Sequence, residues 1–219
     1  RCIPHIHGAC RDSFMNSAII VNNEINSVSD NPLIMDKGNI VSSGHFHAEH
    51  LAQAMDTIGI AFSELGAISE RRTHYFMKGV GDSIPPFVAS DPGIESGYMI
   101  VHVTATALAS ENKTLAHPAS IDSLPTSGGQ EDQVSMAPWA GFKLLKIQKN
   151  LSNILAIEFL LTPKDLNIAI SLVLFFTKIV NPEIILKVAT IIISERIINI
   201  TFLSTLRAEN KGLLRSAQV

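Results

Sequence analysis

The sequence predicts an all-α fold, a bundle of long, near-parallel helices, on three observations. Apolar residues recur at helical spacing over most of the first 160 positions, and the period-two alternation of a half-buried strand is almost absent there. The composition is also unusually apolar, with 46% hydrophobic against 17% charged residues and a mean hydropathy of +0.25. Such a chain of 219 residues is excluded from the disordered class. It carries enough apolar surface for one large core with some left over for a partner.

The elements follow in order. A first helix is expected over residues 4–25, stopped by Asn26-Ser27-Val28-Ser29-Asp30-Asn31-Pro32, whose side chains favour turns and whose proline cannot continue a helix. Asp36, Lys37, Gly38 and Asn39 mark a turn or hairpin. The strongest helical signal runs from Phe46 to about Lys78, with Leu51, Met55, Ile58, Phe62 and Leu65 at spacings of four and three. Gly79 and Gly81 end it, and Pro85-Pro86 and Asp91-Pro92-Gly93 lie in a long loop. Another helix is expected from Tyr98 to Leu115; its centre, residues 104–110, is nearly all small side chains that allow close helix approach. After Pro118 a polar loop leads to a helix from roughly Gln133 to Leu161, striped by Leu144, Ile147, Leu151, Ile154 and Leu161. The division expected is 1–162, a helical bundle, and 163–219, an Ile-rich segment where β-branched density leaves helix and strand hard to separate.

Charge and composition exclude several functions. Lys plus Arg total 17 against 20 Asp plus Glu, a net charge of -3, with no basic stripe to follow a phosphate backbone, so no nucleic-acid partner is expected. The apolar run 168–177 is about half a bilayer span and ends at Lys178, so no membrane segment is expected. Cys2 and Cys10 are too few and too local for a disulfide framework, which points to a reducing, cytoplasmic setting. The abrupt start at Arg1, without initiator Met or signal-type segment, suggests a chain cut from a longer protein or numbered from inside one.

Three clusters invite a chemical reading. His45, His47 and His50, with Glu49 between them, would place His47 and His50 on one helix face with His45 swinging in from the preceding turn. No His-Glu-x-x-His pattern and no second ligand cluster accompanies them, so no metal is assigned, and packing, capping or a substrate pocket is the favoured role. His5-Ile6-His7 reads as solvated. No nucleophile elbow or phosphate loop occurs, and the two thiols read as helix residues. The loop from Pro118 to Met136 places Gln130, Glu131 and Asp132 just before a long helix, where composition alone makes the carboxylates partners of the helix dipole.

Four segments add a family resemblance: Arg1-Cys2; Asn26 to Leu33; Gly44-His45-Phe46-His47-Ala48-Glu49 running to Ser69-Glu70-Arg71-Arg72; and Ser110-Glu111-Asn112-Lys113 through His117-Pro118-Ala119-Ser120 and Pro125-Thr126-Ser127 to Gln130-Glu131-Asp132. In order and spacing, over residues 1 to about 162, they resemble the aromatic amino acid lyases. Gln130-Glu131-Asp132 resembles the histidine-specific branch, whose phenylalanine and tyrosine relatives usually carry an amide where Glu131 stands. A carboxylate can accept an imidazole N–H, whereas facing a phenyl ring it would be left unpaired at a cost.

The resemblance implies a helical bundle of the ammonia-lyase (fumarase/aspartase-like) type, assembled as a homotetramer with active sites shared between subunits. It implies non-oxidative deamination of L-histidine to trans-urocanate and ammonia by the electrophile 4-methylideneimidazol-5-one (MIO), made from an internal Ala-Ser-Gly. No Ala-Ser-Gly occurs here, so the resemblance places MIO in an N-terminal half outside this chain and makes the isolated chain inactive. By position, Arg1 would bind the substrate carboxylate, Phe46 would pack against the imidazole and the electrophile, and Glu131 would accept from the imidazole and assist proton transfer. His45 stands where the family usually has Asn, His50 where it usually has Pro, and Gln133 where His is frequent. Two alternatives stay open: a non-catalytic helical oligomerisation fragment, and phenylalanine or tyrosine specificity.

Overall fold

The structure is a computed structural model that describes residues 1–161; the expectations for 163–219 lie outside the described residues. Four long helices dominate: α1 (Ile3–Ile25), α2 (Glu49–Met77), α3 (Met99–Leu115) and α4 (Ala137–Leu161). A two-stranded hairpin, β1 (Leu33–Ile34) and β2 (Ile40–Val41), pairs Leu33 with Val41 and Ile34 with Ile40. It closes over the predicted turn, where Lys37 and Gly38 both take positive φ. Among the described residues no helix is long and apolar enough to cross a membrane.

Two helix starts differ from the sequence expectation, each for a local reason. Residues 45–47 form a separate 3₁₀ turn, and Ala48 is left-handed at φ 55°, ψ 36°, so α2 begins only at Glu49. An α-helix cannot propagate through a left-handed residue. Likewise α4 begins at Ala137 and not near Gln133: Pro138 is tolerated in a first turn but would clash with the carbonyl four residues back in a longer helix. Glu131 and Asp132 therefore lie upstream of the helix end and not in its first turn.

Helix α2 is the centre of the bundle, packed against α1, α3 and α4. Contacts between Ser17 and Ala54 and between Cys10 and Ala61 run α1 antiparallel to α2. Against α4 the direction is parallel: Gly59 lies under Ile147 and Gly66 under Ile154, and a methyl built on either glycine would sit 3.3 Å from the isoleucine Cδ1. The two pairs are one heptad apart on both helices, so glycine gaps repeatedly receive isoleucine knobs. Ile154 is fully buried and Ile147 nearly so. On α3 the predicted small-residue centre makes the close approach, with Ala105 and Ala109 buried.

Charged groups thread this seam. Glu158 of α4 binds Arg72 of α2, whose Nη2 donates to Oε2 at 2.8 Å, and accepts from Ser69 Oγ at 2.6 Å. Glu70, almost wholly buried, pairs with Arg71 and accepts from Thr106 Oγ1 at 3.0 Å, with His102 Nε2 at 3.1 Å. Burial alone would raise the Glu70 pKa, but the bonds from Thr106, Arg71 and His102 outweigh it and hold the carboxyl below its ordinary range. His7, expected in solvent, is buried instead, and burial with Arg72 nearby lowers its pKa. Cys10, buried against α2, has its thiol pushed up to about 11 by burial and then by Glu64.

Candidate functional site

The loops at the start of α2 and ahead of α4 meet, and they hold two of the three residues singled out by the resemblance. The left-handed Ala48 ends the 3₁₀ turn and presents Phe46 with 45% of its surface exposed. Its ring lies 4.4 Å from the imidazole of His47, centroid to centroid. The His47 Nε2 in turn stands 3.9 Å from Glu131 Oε2. Ser135 Oγ donates to the His47 carbonyl at 2.6 Å, tying the two loops together.

Glu131 is held by its backbone. Thr126 N–H donates to the Glu131 carbonyl at 2.7 Å and Glu131 N–H returns a bond to Thr126, closing a small loop over the 3₁₀ turn Ser127–Gly129. Ser123 Oγ accepts from Val134 N–H at 2.9 Å and donates to its carbonyl. Upstream, Asp56 on α2 accepts the Ser120 N–H at 2.8 Å and anchors the loop on the bundle. The backbone is thereby fixed while the Glu131 carboxylate stays about half exposed, an arrangement suited to meeting a ligand.

Arg1 is elsewhere. It precedes α1, whose far end carries Glu24, and Glu24 contacts His45 in the Phe46 turn. At 1.5 Å of rise per residue, roughly 35 Å of helix separates Arg1 from that turn. One chain thus brings Phe46 and Glu131 together around His47 and leaves Arg1 far from both.

The histidine cluster also divides differently from expectation. His47 faces Glu131, whereas His45 and His50 both approach Glu24, the first with Nε2 3.2 Å from Oε2 and the second with Nδ1 3.9 Å from Oε1. Ala48 causes the split, because a left-handed residue between His47 and His50 removes the shared helix face. Sequence reasoning named His47 and Glu131 but not their meeting, and it missed Glu24, which lies at the end of α1 with no local signal at all.

The helical bundle is shared with solved ammonia-lyases and aminomutases. Histidine ammonia-lyase from Trypanosoma cruzi superposes with a TM-score of 0.69 at 42% identity, covering 74% of this chain and 32% of that one. Tyrosine aminomutase from Streptomyces globisporus gives 0.65 at 36% identity, covering 74% and 31%. The profile of the aromatic amino acid lyases matches residues 1–170, and the chain belongs to that family. Curated histidine ammonia-lyases are similar in sequence: that of Burkholderia mallei is 55% identical over 161 residues, 73% of this chain and 32% of the relative. That of Aliivibrio fischeri is 52% identical over 168 residues, 76% and 33%. The chain spans about a third of the length of these relatives.

Proposed function

We propose that this chain is the part of a histidine ammonia-lyase that furnishes Phe46, Glu131 and, to a neighbouring subunit's site, Arg1. The observation that carries the reading is an exposed carboxylate, Glu131, already set beside an imidazole, that of His47, next to an exposed aromatic ring. The imidazole of L-histidine offers Glu131 the same N–H donor chemistry, and a phenyl ring offers it no donor at all. Identity above 50% to histidine ammonia-lyases supports the same choice.

In the reaction the Cβ proton and the α-amine leave L-histidine, giving trans-urocanate and ammonia. Arg1 binds the substrate carboxylate through its fork of donors. Phe46 forms the apolar wall against the imidazole ring, and Glu131 accepts an imidazole N–H and takes up proton density as the side chain becomes electron-poor. The roughly 35 Å between Arg1 and the Phe46 turn requires Arg1 to act in a site completed by another copy of the chain. That requirement supports an oligomer with shared sites, the homotetramer that the family resemblance implies.

The family's electrophile, MIO, would supply, when present, an electron-poor acceptor that assists loss of the α-amine. The x-Ser-Gly triplets here are Ser42-Ser43-Gly44, Glu95-Ser96-Gly97 and Thr126-Ser127-Gly128, and none is the Ala-Ser-Gly from which MIO forms. The chain's own residues fit a site around such a group: Phe46 would pack against it, and Glu131 would orient the substrate toward it. The Ala-Ser-Gly would come from a part of the polypeptide outside this sequence. The free thiols of Cys2 and Cys10 fit a cytoplasmic setting.

A second reading, a non-catalytic oligomerisation fragment, is favoured by the half-exposed Trp139, Phe142, Phe159 and Leu160 on α4. Apolar surface of this kind marks a contact with other chains. One experiment separates the readings. A longer parent carrying the upstream segment should show histidine-dependent growth of urocanate absorbance in the near ultraviolet, and Glu131→Gln should lower its kcat by about 100-fold or more. The isolated chain should self-associate in light scattering and show no turnover. Turnover of phenylalanine or tyrosine but not histidine by the parent would reject the role of Glu131.

A further inference from the structure

We propose that Glu24, His45 and His50 form a binding site for a divalent transition-metal ion, with Zn²⁺ the expected occupant, clamping the end of α1 to the turn that carries Phe46. One ligand atom from each residue lies within 4.8 Å of the other two. Bonds of about 2.0–2.1 Å to a tetrahedral zinc put neighbouring ligand atoms about 3.3 Å apart. The His45 Nε2–Glu24 Oε2 separation of 3.2 Å is at that value, and His50 Nδ1, 3.9 Å from the other carboxylate oxygen, Oε1, reaches the same ion by a shift of its own side chain. The His50 side chain is 68% exposed and free to make it, while Glu24, 12% exposed, is the fixed member.

Ligand chemistry narrows the ion. Two imidazoles and one carboxylate suit Zn²⁺ and its transition-metal neighbours, and are a poor set for Mg²⁺ or Ca²⁺, which prefer oxygen. The fold brings both histidines to one carboxylate. Glu24 supplies the ligand that sequence spacing did not offer, because it arrives from another helix. Occupancy would join residue 24 to residues 45 and 50 across the turn, holding Phe46 from its preceding neighbour.

The test uses the tag-free full chain stripped of metal by a chelator, with ZnCl₂ as the only probe, so that it is independent of lyase activity. Calorimetric titration should show one strong Zn²⁺ site per chain, and Co²⁺ in its place should give the visible absorption of a tetrahedral complex. His45→Asn and His50→Ala should each weaken binding by about 100-fold or more, since loss of an outer-sphere partner alone costs about 10–100-fold. His5→Ala, at an exposed histidine outside the cluster, should leave binding unchanged. Circular dichroism should show both ligand variants as helical as the parent chain; His50, being exposed, keeps the test valid should His45→Asn misfold. Absence of a stoichiometric site, a Zn²⁺ affinity that survives His50→Ala, or equal competition by Mg²⁺ would overturn the proposal.

Discussion

Two polar regions of this molecule use the same residue types to opposite ends. Along the α2–α3–α4 seam, the buried carboxylates Glu158 and Glu70 are bonded to the largely covered Arg72 and His102. On the loop face, Glu131, His47, His45 and His50 sit on hydrogen-bonded turns while the ends of their side chains keep at least partial access to solvent. The seam shows what carboxylates and histidines look like when they serve the fold, with partners drawn from neighbouring helices and, for Glu70, also from Arg71 beside it. Against that background the loop-face groups stand out, because their backbones are held while their side chains, though they meet one another, stay open to an incoming ligand.

The difference is sharpest when one buried partner is removed. Glu158→Leu strands the Arg72 guanidinium in the seam and should cost about 3–5 kcal/mol in urea unfolding, as removing one member of a buried ion pair does. Combining it with Arg72→Met should recover a large part of the loss, because the uncompensated charge goes with it. A loss under about 1 kcal/mol for the single variant would mean that the seam charges are solvated and no different in kind from the loop face. Next in size is the knob that fills a glycine gap. Ile154→Ala should cost about 2–4 kcal/mol, since Gly66 opposite has no side chain with which to fill the cavity.

Acid should distinguish the regions more gently. His7 is held neutral by burial and by Arg72, so its pKa in the fold lies below the ordinary 6.5; that of Glu70 lies below 4.5. In both cases the unfolded chain binds more protons than the folded one, so stability rises with pH across each window. The His7 contribution is complete above about 6.5 and is lost as pH falls through its lowered value. The Glu70 contribution disappears in the same way below about 4.5. Thermal melts from about pH 8 down to about pH 2.5 should show Tm falling in two stages, and His7→Gln should remove the first. A Tm that did not change between pH 7 and pH 5 would contradict the assignment to His7.

The helices were legible because their signal is local: spacing of Leu51, Met55, Ile58, Phe62 and Leu65 reports the buried face of α2 directly. The starts of α2 and α4 were less so, since the left-handed Ala48 follows from how the turn packs and has no compositional mark. Phe46 and Glu131 could be named only by resemblance, and nothing in composition separates Glu131 from a helix-capping carboxylate. The burial of His7 and the meeting of Glu24 with His45 and His50 were not readable at all. Both depend on which helices become neighbours, and charge or polarity at one position says nothing of the group that will face it across the bundle.

The smallest expected effect is the most informative about function. Glu131→Gln keeps the side chain's size and leaves its backbone bonds to Thr126 intact, and the carboxylate it removes is about half exposed with the His47 imidazole 3.9 Å away. Exposed pairs of that kind contribute less than about 1 kcal/mol. The variant should therefore unfold within about 0.5 kcal/mol of the parent chain in urea. A stability cost comparable to that of Glu158→Leu would place Glu131 with the seam, as a residue that holds the fold. Near-neutral stability combined with a large loss of turnover in the parent enzyme would assign its cost to chemistry alone, the behaviour expected of a group whose strong partner is the substrate.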